Sequence, residues 1–191
     1  FGNLYSSDKK KFNIFTAVYA KQICNLLHTL GININTVPVL DIRRKSSHNV
    51  IGNRSYSNKP NIVSIVGDHY IKLFHQYKVA TIIKHIPGHG LAKVDSHKKT
   101  PYVNKSLNYL NKVDFFPFKK KQSLFAMTAH VIYNKIDPLN CATHSKKTIS
   151  LIRKKIGFKN LIISDDISMK ALKLSIKKNT IKAFTAGCNL V

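Results

Sequence analysis

The sequence predicts an α/β fold of the (β/α)8-barrel type, incomplete within these residues. Three observations lead there. Apolar segments of helical period alternate with short β-branched runs, and no hairpin signal joins two strands. Polar residues stand at the ends of four successive strand-like runs, at Asp41, His85, His130 and Asp165. A doubly wound sheet gathers its ligand groups near one switch point, whereas chemistry after each strand suits a barrel.

Each element has a local reason. Apolar residues at 12, 15, 19, 23, 26, 27 and 30 give Phe12–Leu30 a helical period, closed by Gly31. Ile32–Ile42 alternates and then runs apolar through Val37-Pro38-Val39-Leu40, a strand ending at Asp41. Residues 43–59 are polar, with Gly52 and Ser/Asn clusters, and read as a loop. Pro60 opens a helix to about Lys78, and the β-branched run Val79–Ile83 follows as a buried strand. A long loop leads to Pro101, then a short helix near Asn104–Lys112 and a turn at Phe115-Phe116-Pro117-Phe118. Leu124–Ala129 is the next strand, and Ser145 caps a helix that ends before Gly157. Leu161–Ser164 is a buried strand with Asp165-Asp166 at its carboxyl end, and a helix over Ser168–Ala186 finishes at Gly187.

With 191 residues, 43% of them apolar, the chain can bury one real core. It has no internal repeat or low-complexity linker, so residues 1–191 read as one partial domain. Phe1 stands where a start methionine would be, and Asn189-Leu190-Val191 reads as the beginning of a strand. Both ends therefore suggest cuts through a larger protein. No apolar run is long enough to span a bilayer, and no leader pattern opens the chain. Cys24, Cys141 and Cys188 are odd in number and widely spaced, which fits buried thiols in a reducing, cytoplasmic compartment.

The formal charge of +24 raises the question of nucleic acid. Lysine supplies 28 of the 32 basic residues and is spread over almost every segment, so the charge reads as a solvated surface. We expect no specific nucleic-acid partner, only weak adhesion to polyanions. Glutamate is absent. Any carboxylate chemistry must come from Asp8, Asp41, Asp68, Asp95, Asp114, Asp137, Asp165 and Asp166.

The densest chemistry lies in Lys84-His85-Ile86-Pro87-Gly88-His89-Gly90, followed by Asp95-Ser96-His97. Pro87, Gly88 and Gly90 keep the run from being helix. Lys84 and His85 close a strand and could donate to substrate hydroxyls or anions. Asp95 and His97, two apart in an extended loop, face the same way. The carboxylate can thus bond one ring nitrogen and leave the other for proton transfer. Asp165 and Asp166 alternate in direction, so one faces the pocket and its neighbour caps a helix or anchors the loop. Arg54, in Ile51–Tyr56, is one of four arginines and suits a fork-like hydrogen-bonding role.

Taken together, these motifs resemble a known family. Lys84–Gly90 with Asp95-Ser96-His97, Asp114–Phe118, Met127-Thr128-Ala129-His130-Val131 and Ser164–Met169 are similar to the beta-N-acetylhexosaminidase branch of family-3 glycoside hydrolases. Gly31–Ile42 and Ile51–Tyr56 match the same pattern upstream. The resemblance implies a retaining exo-acting beta-N-acetylglucosaminidase on a (β/α)8 barrel. Asp165 would be the nucleophile, and His97, partnered by Asp95 on a mobile loop, the general acid and then base. Arg54, Lys84 and His85 would hold the N-acetylglucosamine unit, and His89 would shape the Pro-Gly turn. The implied partner is a small saccharide carrying terminal N-acetylglucosamine, a muropeptide or disaccharide from peptidoglycan turnover. Neither a metal nor an organic cofactor is implied, and neither a membrane nor a second subunit. The pattern departs from the family at Ile86, where Phe is common, and at Asn189, where Asp is usual. Nothing matches the family's Asp-Gln-Glu-Gly-Gly segment, which contacts the sugar.

Other readings stay open at this stage. A phosphorylase of the same family would use the same residues, because a neutral histidine tolerates an incoming phosphate. A metal-dependent hydrolase would use His85, His89, Asp95 and His97, although Pro87 and Gly88 break the helical ligand spacing. A noncatalytic fragment would bind anionic partners through its basic surface.

Overall fold

A computed structural model describes residues 1–44 and 51–191. The expected loop over residues 43–59 is therefore described except for 45–50, which lie outside the described residues. Among the described residues, six α-helices and six strands follow in chain order. They are α1 (Gly2–Ser7), α2 (Lys9–Thr29), β1 (Ile34–Asn35), α3 (Pro60–Gln76), β2 (Ala80–Ile86) and β3 (Tyr102–Val103). The rest are α4 (Leu107–Lys112), β4 (Phe125–Thr128), β5 (Ile132–Tyr133), α5 (Lys146–Leu151), β6 (Leu161–Ile163) and α6 (Ile176–Ala186).

The main sheet runs β1-β2-β4-β6, and every pairing in it is parallel. Ile163 bridges Leu190 in parallel, extending the series past β6. Successive strands lie side by side with no reversal of order, which is an arc of a (β/α)8 barrel rather than a doubly wound sheet. A second pair, β3 with β5, is also parallel and formed by the excursions that follow β2 and β4.

Helix ends follow their capping residues. Asp8 accepts from the Lys11 N–H, Ser106 from Tyr109, and Ser145 from Thr148. The fifth helix continues through a π-helical turn, Ile152–Ile156, to Gly157 in the left-handed region. Helix α2 buries Phe12, Thr16, Ala20 and Cys24, a row of i, i+4 positions, against Val66, Tyr70, Leu73 and Phe74 of α3. A larger core, built on Ile83, Ala126, Phe118, Phe158 and Ile162, joins the strands to α5 and α6. The outer face of α2 is apolar too, with Ile14, Phe15, Val18 and Leu26 exposed, as is Leu30 at its C-cap. No helix among the described residues is long and apolar enough to cross a membrane.

Three expectations are corrected. The strand over Ile32–Ile42 is broken into Ile34–Asn35 and an isolated bridge at Val39, because Pro38 has no N–H to give the ladder. The second strand runs to Ile86 rather than stopping at Ile83, so Lys84 and His85 belong to the sheet. The helix over Ser168–Ala186 begins only at Ile176, capped by Ser175, and residues 164–175 form a long turn-rich loop. At the start of that loop Asp166 makes a local turn. Its Oδ1 accepts from both the N–H and the hydroxyl of Ser168, a local bond that competes with helix.

The two surfaces of the chain predict a contrast in stability. Phe158, completely buried, should cost about 3–5 kcal/mol on truncation to Ala. Phe15, 56% exposed, should change stability by no more than about 0.5 kcal/mol. Urea unfolding monitored by circular dichroism measures both.

Candidate active site

The site is assembled where β1, β2 and β6 end. Pairing between the first two strands continues beyond β1, through Leu40 N–H to Lys84 O (2.8 Å) and Lys84 N–H to Pro38 O (3.2 Å). This carries Asp41 to the end of β2, where it is fully buried. Asp41 Oδ2 accepts from His85 Nδ1 (2.6 Å) and from the His85 backbone N–H (3.2 Å). Its Oδ1 accepts from the His89 N–H at 2.6 Å. Burial would raise this carboxyl. The facing His85, through its charge and hydrogen bond, and His89 overcome that and hold it below its ordinary value.

A bulge aims the strand's polar pair. Lys84 pairs with Met127 and Ile86 with Thr128, so His85 is the additional residue on β2. The Lys84-His85 and Ile86-Pro87 peptide bonds are both cis. Burial, and then the Arg54 charge, push the Lys84 ammonium below its usual range, against the opposing pull of Asp165 and Asp41.

The Pro-Gly turn that follows is wedged tightly. Gly88 has φ +148°, and a Cβ there would lie 2.8 Å from the Asp114 carbonyl oxygen. A Cβ on Gly90 would lie 2.6 Å from Ile42 O. The Tyr133 hydroxyl donates to the Gly88 carbonyl from below. His89 is buried inside the turn, and burial, then the neighbouring His85, lower it to about 4, so it stays neutral.

On the loop beyond, Asp95 Oδ1 accepts from His97 Nδ1 (2.7 Å) and from the His97 backbone N–H (2.9 Å). The other ring nitrogen is thereby left for proton transfer. The His97 side chain is 58% exposed, while Asp95 behind it is only 17% exposed. Ser96 O accepts from the Ala171 N–H (3.1 Å), and Thr100 Oγ1 donates to Ala171 O (2.7 Å). These two bonds tie the His97 loop to the loop that follows β6.

Asp165 and Asp166 divide their roles as alternation requires. The former faces the pocket, with Oδ2 3.9 Å from His85 Nε2; the latter binds Ser168 and anchors its own loop. His130, at the end of β4, supports that loop. Its Nε2 lies 2.9 Å from Asp166 O, a pure acceptor, so this nitrogen carries the proton. Its Nδ1 then accepts from Thr143 Oγ1 at 2.7 Å, and Thr143 Oγ1 in turn accepts from Thr128 at 2.8 Å.

Arg54, Lys84, His85, His97 and Asp165 line one cavity of about 160 Å³, together with His89 and Met169. Asp95 stands behind His97. The wall offers two basic side chains, a carboxylate and two imidazoles each backed by a carboxylate, which can bind a hydroxylated ligand and move one proton. Among the described residues no group of three or more His, Cys, Asp or Glu side chains is arranged to hold a metal.

Two carboxylates escape a reading of the sequence as site residues. Asp41 is the polar end of an apolar run, and that position was its only signal. Asp114 is buried beneath the Gly88–Gly90 turn with neither oxygen hydrogen-bonded. Burial pushes it up to about 7, opposed by Arg44 and reinforced by Asp41.

A strand rim bearing these groups defines the (β/α)8-barrel class, whose polar site lies at the carboxyl ends of its strands. Within that class the chain belongs to glycosyl hydrolase family 3, matching the family's N-terminal domain over residues 8–191. It is 32% identical over 170 residues to a beta-hexosaminidase of Nitrosomonas eutropha, covering 86% of this chain and 49% of that protein. A beta-N-acetylglucosaminidase of the same family from Paenibacillus sp. superposes with a TM-score of 0.88 at 30% identity, over 93% of this chain and 35% of that one. NagZ from Neisseria gonorrhoeae in complex with N-trifluoroacetyl-D-glucosamine gives the same TM-score at 30% identity, over 100% of this chain and 56% of its own. The chain thus spans about half the length of the curated relatives it matches.

The two shifted groups beneath the site have opposite linkage. Asp114 binds its proton more tightly folded (about 7) than unfolded (ordinarily 3.8), so its contribution is full below 3.8 and lost as pH rises through 7. His89 falls from an ordinary 6.5 to about 4, so its contribution is full above 6.5 and lost as pH drops toward 4. Asp114→Asn removes only the first. We expect it to stabilise the chain by about 1–3 kcal/mol more at pH 8 than at pH 5. Thermal melts at the two pH values check this, and equal shifts at both would contradict it.

Proposed function

We propose that residues 1–191 form one partial barrel domain of a retaining exo-acting beta-N-acetylglucosaminidase, carrying its nucleophile and its acid/base. The observation that carries this is the convergence of Asp165 and His97 on one cavity, with Arg54, Lys84 and His85 on its wall. In the first step Asp165 Oδ attacks the anomeric carbon as the glycosidic C–O bond breaks. His97, doubly protonated and steadied by the Asp95 carboxylate, gives its Nε2 proton to the departing oxygen. In the second step neutral His97 takes a proton from water, which attacks the anomeric carbon and releases Asp165. Arg54, Lys84 and His85 hold the sugar hydroxyls, and the reaction calls on no cofactor.

The substrate we propose is a peptidoglycan turnover product with a terminal beta-linked N-acetylglucosamine, handled in the cytoplasm by a monomer. The buried, unpaired state of Cys24, Cys141 and Cys188 suits that reducing compartment.

Hydrolysis of a chromogenic N-acetyl-beta-glucosaminide by the full-length protein tests the proposal. Asp165→Asn should lower kcat by about 10³-fold or more. His97→Ala should cost about 10²–10⁴-fold on a disaccharide and less on a nitrophenyl glycoside, whose leaving group needs little protonation. A fluorinated substrate that deglycosylates slowly should leave one sugar on Asp165, detected by mass spectrometry. Hydrolysis that survives Asp165→Asn would sink the assignment.

A further inference from the structure

We infer that Asp41 is a positioning residue: it fixes the His85 ring so that Nε2 accepts a hydrogen bond from a sugar hydroxyl to which Lys84 donates. The sugar half of this inference rests on the proposed function above; the clamp itself does not.

The clamp follows from proton bookkeeping. Neutral imidazole carries one N–H, and an ionised carboxylate can only accept. Asp41 lies 2.6 Å from His85 Nδ1, so the proton is on that nitrogen. The backbone N–H groups of His85 and His89 also end on Asp41, at 3.2 and 2.6 Å, so the carboxylate cannot swing away. It is wholly buried and not open to solvent exchange of these partners.

In the neutral ring the other nitrogen is therefore bare, and it faces the cavity. It lies 3.9 Å from Asp165 Oδ2, beyond hydrogen-bonding distance, so two acceptors stand side by side on one wall. Acceptors so placed call for a donor from the ligand. The Lys84 ammonium lines the same cavity and can only donate. A hydroxyl has one proton and two lone pairs, so its single oxygen can accept from Lys84 and donate to His85 at once. A fluoro or methoxy group satisfies Lys84 and leaves Nε2 unpaired; a hydrogen satisfies neither. The wall therefore recognises a hydroxyl by its proton as well as by its oxygen.

Asp41→Asn should reverse this polarity. The amide oxygen can keep the His89 N–H, while the amide NH₂ turned to His85 requires a bare Nδ1, which moves the ring proton to Nε2. The wall then donates where it formerly accepted.

Two measurements on the full-length protein decide the matter. Long-range ¹H–¹⁵N spectra of histidine-labelled protein should show His85, in its neutral form, with the proton on Nδ1, and with the proton on Nε2 in Asp41→Asn. A proton on Nε2 in the parent overturns the clamp without reference to any glycoside. In kinetics, Asp41→Asn should lower kcat/KM on the chromogenic glycoside by about 10–100-fold, but by less than about threefold in a His85→Ala background. An equal loss in both backgrounds would mark Asp41 as merely structural. Among 3-, 4- and 6-fluoro glycosides, one should be penalised at least about tenfold more by the parent than by Asp41→Asn. If none is, or if the parent hydrolyses no glycoside, hydroxyl recognition is refuted, and the spectra still decide the clamp. The parent's spectrum and its fluoro series stand even if Asp41→Asn fails to fold.

Discussion

Parallel pairing is the constraint on which the rest of the molecule depends. Because β1, β2, β4 and β6 all run the same way, everything that follows a strand emerges on the same rim. Asp41, Lys84-His85, His130 and Asp165 are widely separated in sequence, yet each leaves its strand toward the same place. The helices answer to the same constraint. Each crossover must return the chain to the far edge, and its apolar row must then cover the sheet it has just crossed.

Within that frame the site divides into a rigid and a looser half. Lys84 and His85 lie on β2, and Asp41 holds the latter from a wholly buried position. His97 stands largely in solvent, backed by Asp95, but Ser96 and Thr100 fasten its loop to the segment bearing Asp165. A group that binds hydroxyls profits from rigidity. A group that must deliver a proton and then receive one needs room for a departing sugar and an arriving water. On the roles proposed above, fastening the His97 loop to the Asp165 loop would keep acid and nucleophile in register while the binding half stays still.

Much of this is legible from residues alone, for identifiable reasons. The barrel type follows from strand–helix alternation with polar strand ends, both of which are local signals. That one of Asp165-Asp166 faces the pocket while its neighbour caps a helix or anchors the loop follows from side-chain alternation. What is not legible depends on contacts distant in sequence. Nothing near Asp41 says that it will meet His85 and His89, more than forty positions away. Asp114 looks like any loop carboxylate until Gly88 and Gly90 close over it. The late start of α6 at Ile176 is not legible in the helical period of Ser168–Ala186, and only the folded geometry shows it. The break in the first strand, by contrast, was written in Pro38 and outweighed by the apolar run around it.

The outward face of α2, with Ile14, Phe15, Val18 and Leu26 exposed, has a colloidal consequence. Oily patches of this kind stick together unless something holds the molecules apart. Here that something is charge: +24 spread by scattered lysines makes two copies repel before their patches meet. Repulsion of this sort reaches about 10 Å in 0.1 M salt and only about 3 Å in 1 M. Raising the ionic strength therefore shortens the repulsion that keeps those patches apart.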